Sequence, residues 1–166
     1  MTEVEFDEYG NPTPYDFIEL TIEEFKHIFV DSFNPKERRQ LLFNKYIEYI
    51  RDFAEIYKQD WEQWVDGSFI TKKEYPGDID MVGLVDANFI EQNRSNPNIF
   101  TFFRSKTVER DVMYYYGLDI YLLMVYPESD ERYEKITLKQ IEYWKTFFSR
   151  DKEGRKKGIV KMMVGG

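Results

Sequence analysis

Two segments with strand periodicity each open on aspartates, and no other feature of the sequence constrains the fold as tightly. Residues 78–85 read DIDMVGLV, and residues 118–125 read LDIYLLMV and stop before Pro127. Along a strand, side chains i and i+2 share a face, so Asp78 and Asp80 project together while Ile79 and Met81 turn to the core. Asp119, near the start of an otherwise apolar strand, would be costly to bury unless it were paired or bound a metal. The expectation is a sheet with its carboxylates gathered at one end of the strands.

The rest of the chain supplies helices and further strands. From Asn34, a candidate N-cap with Pro35 at the first helical position, Leu41, Leu42, Tyr46, Ile47, Ile50, Phe53 and Tyr57 recur at helical spacing and predict a long amphipathic helix. Thr21 and Glu24 predict a capping box on a short helix before it. Residues 61–65 suit a strand entering a tight turn at Asp66 and Gly67. A helix and loop follow Asp86, ending at Asn96 and Pro97, and residues 158–164 read as a last strand. Thr137 is placed to cap a helix carrying Ile141, Trp144, Phe147 and Phe148. Residues 1–20, with Gly10, Pro12 and Pro14 and no sustained period, read as an irregular arm on one domain spanning residues 21–166. The expected class is α/β (α+β), a small mixed sheet with helices against one face.

Composition narrows the chemistry. With 166 residues, of which 42% are hydrophobic, the chain can bury a core, and no apolar run reaches the roughly 20 residues that span a bilayer. The acidic start MTEVEFDEYG is unlike a signal peptide, so a soluble, cytoplasmic protein with no membrane partner is expected. Cysteine is absent and His27 is the one histidine, which excludes thiolate and His-rich metal sites and cysteine nucleophiles. A net charge of -8 disfavours nonspecific coating of nucleic acid, though Arg150, Lys152, Arg155, Lys156, Lys157 and Lys161 form a basic cluster near the end.

The chemistry concentrates in residues 67–82. A Gly67-Ser68 turn after a strand lets backbone and hydroxyl approach a phosphate closely, and Ser68 can open a short helix whose free N–H groups favour an anion. Lys72 and Lys73 follow and could meet phosphate as point charges. Asp78 and Asp80 repel each other, and a hard cation relieves this. Mg²⁺ (or Mn²⁺) suits one or two carboxylates plus substrate phosphates, with Asp119 as a third ligand. Two such ions about 3.5 to 4 Å apart can stabilise the attacking and leaving oxygens of a phosphoryl displacement.

An apolar strand, Gly67-Ser68, about ten residues, then Asp78-Ile79-Asp80 with Asp119 on a later strand resembles the signature of the DNA-polymerase-β-like nucleotidyltransferase superfamily. More narrowly, residues 64–71, 76–80 and 118–121, the closing Tyr143-Trp144 and residues 157–160, and the opening residues 6–11 look like a family of small bacterial and phage proteins assigned to that superfamily. The resemblance implies transfer of a nucleoside monophosphate from a nucleoside triphosphate, ATP first among them, to an acceptor hydroxyl on protein, RNA or a small molecule. Asp78, Asp80 and Asp119 would be catalytic and hold metal; Gly67 and Ser68, with Lys72 and Lys73, would bind phosphate. The alternative to this leading reading is a nucleotidyltransferase fold that does not turn over and serves as a binding or regulatory partner, for instance in a toxin and antitoxin or phage-defence system. Pro76-Gly77 predicts that the helix after the Gly-Ser turn is short or irregular.

Each assignment has a plainer alternative. Asp78 and Asp80 could be acids guarding a sheet edge, Asp119 a turn cap after Gly117, and Lys72 and Lys73 solvated loop charges. The cluster from Arg150 to Lys161 could be a solvated turn or a triphosphate or nucleic-acid contact. His27 takes no role, and the tyrosines Tyr114, Tyr115 and Tyr116 read as core or its margin.

Overall fold

The computed structural model describes residues 3–103 and 116–165. Tyr114 and Tyr115 lie outside the described residues; Tyr116 is buried, its hydroxyl donating to Asp52 at 2.6 Å.

The fold is a mixed sheet with helices on it, as the class expected from sequence requires. Strands β1 (Glu5–Phe6) and β2 (Pro12–Thr13) pair antiparallel as a separate hairpin, and β3 (Phe17–Glu19) joins the main sheet. Helix α1 (Ile22–Lys26) runs on as a π-helical turn, His27–Asp31, and is followed by the long α2 (Glu37–Tyr57). Then come β4 (Trp61–Asp66), a 3₁₀ turn (Ser68–Ile70), β5 (Ile79–Asp86), α3 (Ala87–Gln92), α4 (Pro97–Phe103) and β6 (Leu118–Val125). A π-helical segment, Tyr133–Leu138, leads into α5 (Lys139–Phe148), and β7 (Ile159–Val164) ends the described chain. The five-stranded sheet has the order β3-β7-β4-β5-β6; β3 with β7 and β5 with β6 are parallel, the other pairs antiparallel.

Alternation along the strands builds a core on each face. Val65, Ile79, Met81, Val160 and Met162 point to one side, where they pack with Phe25, Phe29, Tyr46, Tyr49 and Phe53 of the first helices. Trp64, Val82, Leu123 and Ile159 point to the other, under Phe148 and Trp144 of α5. Each fully buried side chain of this kind contributes about 1.5 to 3 kcal/mol against exposure. Helices thus cover both faces, correcting the expectation of one. The sequence hid this because α5 carries few buried positions, with Tyr143 and Phe147 each 59% exposed.

Other differences are local. Within the arm expected over residues 1–20, three strands of two or three residues form, too short to show a period, with turns and bends between them. The long helix starts at Glu37 with Lys36 as an N-cap lacking a side-chain hydrogen bond, so Asn34 is no cap. Thr137 is not a cap either. Its buried hydroxyl donates to the Met124 carbonyl at 2.8 Å and accepts from the Tyr126 N–H at 3.0 Å, tying the approach to α5 onto the end of β6. Pro97 opens α4 where a loop end was expected, as a first-turn proline can. The capping box of Thr21 and Glu24 is formed.

Candidate metal and phosphate site

The strand register places the carboxylates. β4 and β5 pair Asp66 with Asp80, and β5 and β6 pair Asp80 with Asp119, so one row of aspartates crosses three adjoining strands. Asp78 precedes β5 by one residue and lies on the same face as Asp80. This is the face that α5 covers farther along the strands. Oxygens of Asp78, Asp80 and Asp119 lie within 4.8 Å of one another, a spacing one cation can bridge. β5 is an inner strand, so its acids do not guard a sheet edge. Asp119 is the second residue of β6, in register with Asp80, so it sits within a strand and not in a turn after Gly117.

Electrostatics mark these carboxylates as short of positive charge. Burial, then the charges of Asp78 and Asp119 and a hydrogen bond shared with Asp119, pushes the Asp80 carboxyl up to about 7. Asp78 is raised by burial and by Asp119, against the opposing pull of Lys73, Arg38 and Lys152. A divalent cation fits such a donor set, since it would replace the proton that the cluster otherwise retains.

Beside the cluster, Gly67 turns the chain with φ 71° and ψ -163°, a region open in practice only to glycine. A Cβ there would fall 1.9 Å from Asp80 Oδ2, so any larger residue would displace that carboxylate as well as strain the turn. The helix after the turn is only Ser68–Ile70, as Pro76-Gly77 led us to expect. The Gly67 N–H is already engaged, donating to Asp66 Oδ1 at 2.9 Å. Ser68 has no hydroxyl or N–H partner among the described residues and lines the cleft.

That cleft, about 1570 Å³, gathers most of the residues singled out from sequence. Gly67, Ser68, Lys72, Lys73, Asp78, Asp80 and Asp119 all line it. Lys72 is engaged there, its ammonium 4.6 Å from the Phe6 ring centre, while Lys73 stands near enough to Asp78 to lower its pKa. The C-terminal basic cluster divides. Arg150, Lys152, Arg155 and Lys157 line the cleft, whereas Lys161 pairs with Glu62 at 3.1 Å. His27 is exposed, the surface position expected of it.

Several residues escaped sequence reasoning. Arg39 is wholly buried on α2 and donates to the carbonyls of Phe29, Phe69, Thr71 and Lys73 at 2.6 to 2.8 Å, with its guanidinium 3.6 Å from the Phe33 ring centre. Arg38 donates to the Pro76 and Gly77 carbonyls. Two consecutive arginines thereby hold the whole loop between Ser68 and Asp78, and so the approach to the first carboxylate. Across the cleft, Asp151 accepts from Asn11 Nδ2 at 2.9 Å and Arg155 Nε at 2.8 Å, while Arg155 lies over Tyr9 at 4.2 Å. Nothing in the sequence pattern distinguishes these from surface charges. A polar pair of arginines at the start of an amphipathic helix was the only available signal.

Among the described residues no helix is long and apolar enough to cross a membrane. No curated protein and no solved structure matches the chain. Residues 4–163, which include the carboxylate row, the Gly-Ser turn and the cleft around them, match a family described as a family of unknown function (DUF6932), and the chain belongs to it.

Proposed function

We propose that this chain is a metal-dependent nucleotidyltransferase of the polymerase-β-like kind, moving a nucleoside monophosphate from a nucleoside triphosphate to an acceptor hydroxyl with release of pyrophosphate. The observation that carries the reading is the trio Asp78, Asp80 and Asp119, brought within 4.8 Å by parallel strands in register and set beside the Gly67-Ser68 turn. Asp78, Asp80 and Asp119 would hold Mg²⁺ or Mn²⁺, which when bound neutralises charge on the phosphates and on the attacking oxygen. Ser68, through its N–H and hydroxyl, would seat the terminal phosphates, with Lys73 and Lys152 as nearby positive charges. The acceptor oxygen would bond to the α-phosphorus as the bond to the pyrophosphate oxygen breaks, and its proton would pass to Asp119, the most exposed of the three acids. Most of the acceleration would come from positioning and charge stabilisation.

Incubating the purified protein with each α-labelled triphosphate, Mg²⁺ or Mn²⁺ and cell lysate tests this directly. Label transferred to protein, RNA or a small molecule, and lost in Asp80→Asn, supports transfer and names the acceptor class. Triphosphate binding without any transfer would leave the binding-partner reading. Absence of both would remove the nucleotidyltransferase reading.

A further inference from the structure

The row of aspartates has a fourth member, Asp66, set apart by a lysine: one of its oxygens pairs with the most buried lysine of the described chain, while the other is buried without a partner. Lys157 is 5% exposed. Its backbone is fixed on both sides, by its own N–H to the Ser149 carbonyl at 3.0 Å and by the Gly158 N–H to the Pro12 carbonyl at 2.9 Å. Its ammonium donates to Asp66 Oδ1 at 2.9 Å and to the Gly67 carbonyl at 2.7 Å. Asp66 Oδ1 also receives the Gly67 N–H at 2.9 Å. Both ends of the Gly67 residue are therefore held by one ion pair.

The peptide joining Gly67 to Ser68 is planar and trans, so its carbonyl and the Ser68 N–H point in opposite directions. Fixing the carbonyl on Lys157 fixes where that N–H aims, away from the lysine, and the N–H finds no acceptor among the described residues. A buried ion pair contributes little net stability over an apolar pair of the same volume, so the consequence of this one is orientation. Resting on the function proposed above, we infer that Lys157 is a positioning residue of the phosphate seat. It aims the Ser68 N–H at the triphosphate, and Asp66 anchors the lysine and is not a fourth metal ligand. The occupant recognised there is the terminal phosphate of a nucleoside triphosphate.

The charge-conserving double variant Asp66→Asn/Lys157→Met separates this role from packing, because it removes one negative and one positive charge and leaves Asp78, Asp80 and Asp119 intact. Mn²⁺ affinity, read from the paramagnetic resonance of free Mn²⁺, should equal wild type. ATP affinity at saturating Mn²⁺, read by calorimetry, should fall at least about tenfold, the order expected for one misdirected charge-assisted contact. A double variant that binds both as wild type does would overturn the inference, since the pair would then only fill space. Equal losses of Mn²⁺ and ATP would overturn it too, by making Asp66 part of the metal site. Should the double variant not fold, the wild type decides: saturating ATP should shift the Ser68 amide resonance, and an unmoved amide in a protein that binds ATP sinks the idea. Wild type that binds neither Mn²⁺ nor ATP would refute the function and this inference together, a result distinct from any failure of the variant alone.

Discussion

The walls of the cleft and its floor treat charge in opposite ways. On the walls, charged groups have partners: Asp151 has Asn11 and Arg155, and Lys157 has Asp66 and the Gly67 carbonyl, while behind the wall formed by residues 71–73 the buried Arg39 donates to four carbonyls and leaves only its Nε unpartnered. Donors around Asp151, Asn11 first, pull its carboxyl well below the usual range. On the floor, burial and the charge of Asp119 raise both Asp78 and Asp80, Asp78 raises Asp80 further, and Asp66 at the edge of the row is raised by burial against the pull of Lys157. Matched charges hold a structure in place, whereas mismatched ones are tolerated when a ligand makes up the difference. The contrast locates the expected work of the protein on the floor and its support on the walls.

The largest effect should come from breaking the support behind a wall. Arg39→Met leaves the carbonyls of Phe29, Phe69, Thr71 and Lys73 without their donor, at a cost of about 3 kcal/mol or more, since an unpaired buried polar group costs about 1 to 3 kcal/mol. Urea unfolding measures it, and a loss under about 1 kcal/mol would mean the loop is held by something else. Neutralising the floor should do the reverse. Asp80→Asn removes repulsion, so the metal-free protein should melt at the same temperature or higher while Mn²⁺ affinity falls about a hundredfold or more. Lower metal-free stability would place Asp80 among the structural charges. Asp151→Asn should lower the melting temperature by a smaller amount, equally with and without Mn²⁺; a change that depends on metal would move Asp151 to the floor.

The smallest effect is the pH trend. With Asp80 raised to about 7, the folded chain retains a proton that the unfolded chain releases between about pH 4 and pH 7. Metal-free stability should therefore fall as pH rises through that window, and Asp66, also raised to about 7 by burial, pushes the same way. Mn²⁺ competes with that proton, so its stabilisation should be greater at pH 7.5 than at pH 5. Melting curves at both values check this; a metal-free midpoint that climbs from pH 5 to pH 7.5 would contradict the unmatched floor.

The floor was the legible part. Asp78, Asp80 and Asp119 announce themselves because carboxylates at the head of apolar, period-two strands have few other uses, and β6 runs over the residues read from sequence. The walls were not legible. Arg39 looks like any helix charge until α2 packs over the loop of residues 69–73, and Asn11 meets Asp151 across 140 positions of sequence. Lys157 stood in a run of six basic residues, and only the register of β7 against β4 shows which one enters the core. Helical periodicity failed differently. It flagged Leu41, which is 52% exposed, together with Leu42, which is buried, because period identifies a stripe and not its edges.

The central claim is that the floor binds a divalent cation through three aspartates, and a Mn²⁺ titration of wild type beside Asp119→Asn tests it most directly. Asp119 is the member that the strand register alone brings to the other two, so its contribution separates a built site from a pair of acids. The account predicts that wild type takes up Mn²⁺ and melts higher with it. Asp119→Asn should bind at least about tenfold more weakly while its metal-free form melts no lower. Wild type that leaves millimolar Mn²⁺ free, or a variant that binds as tightly as wild type, would contradict it.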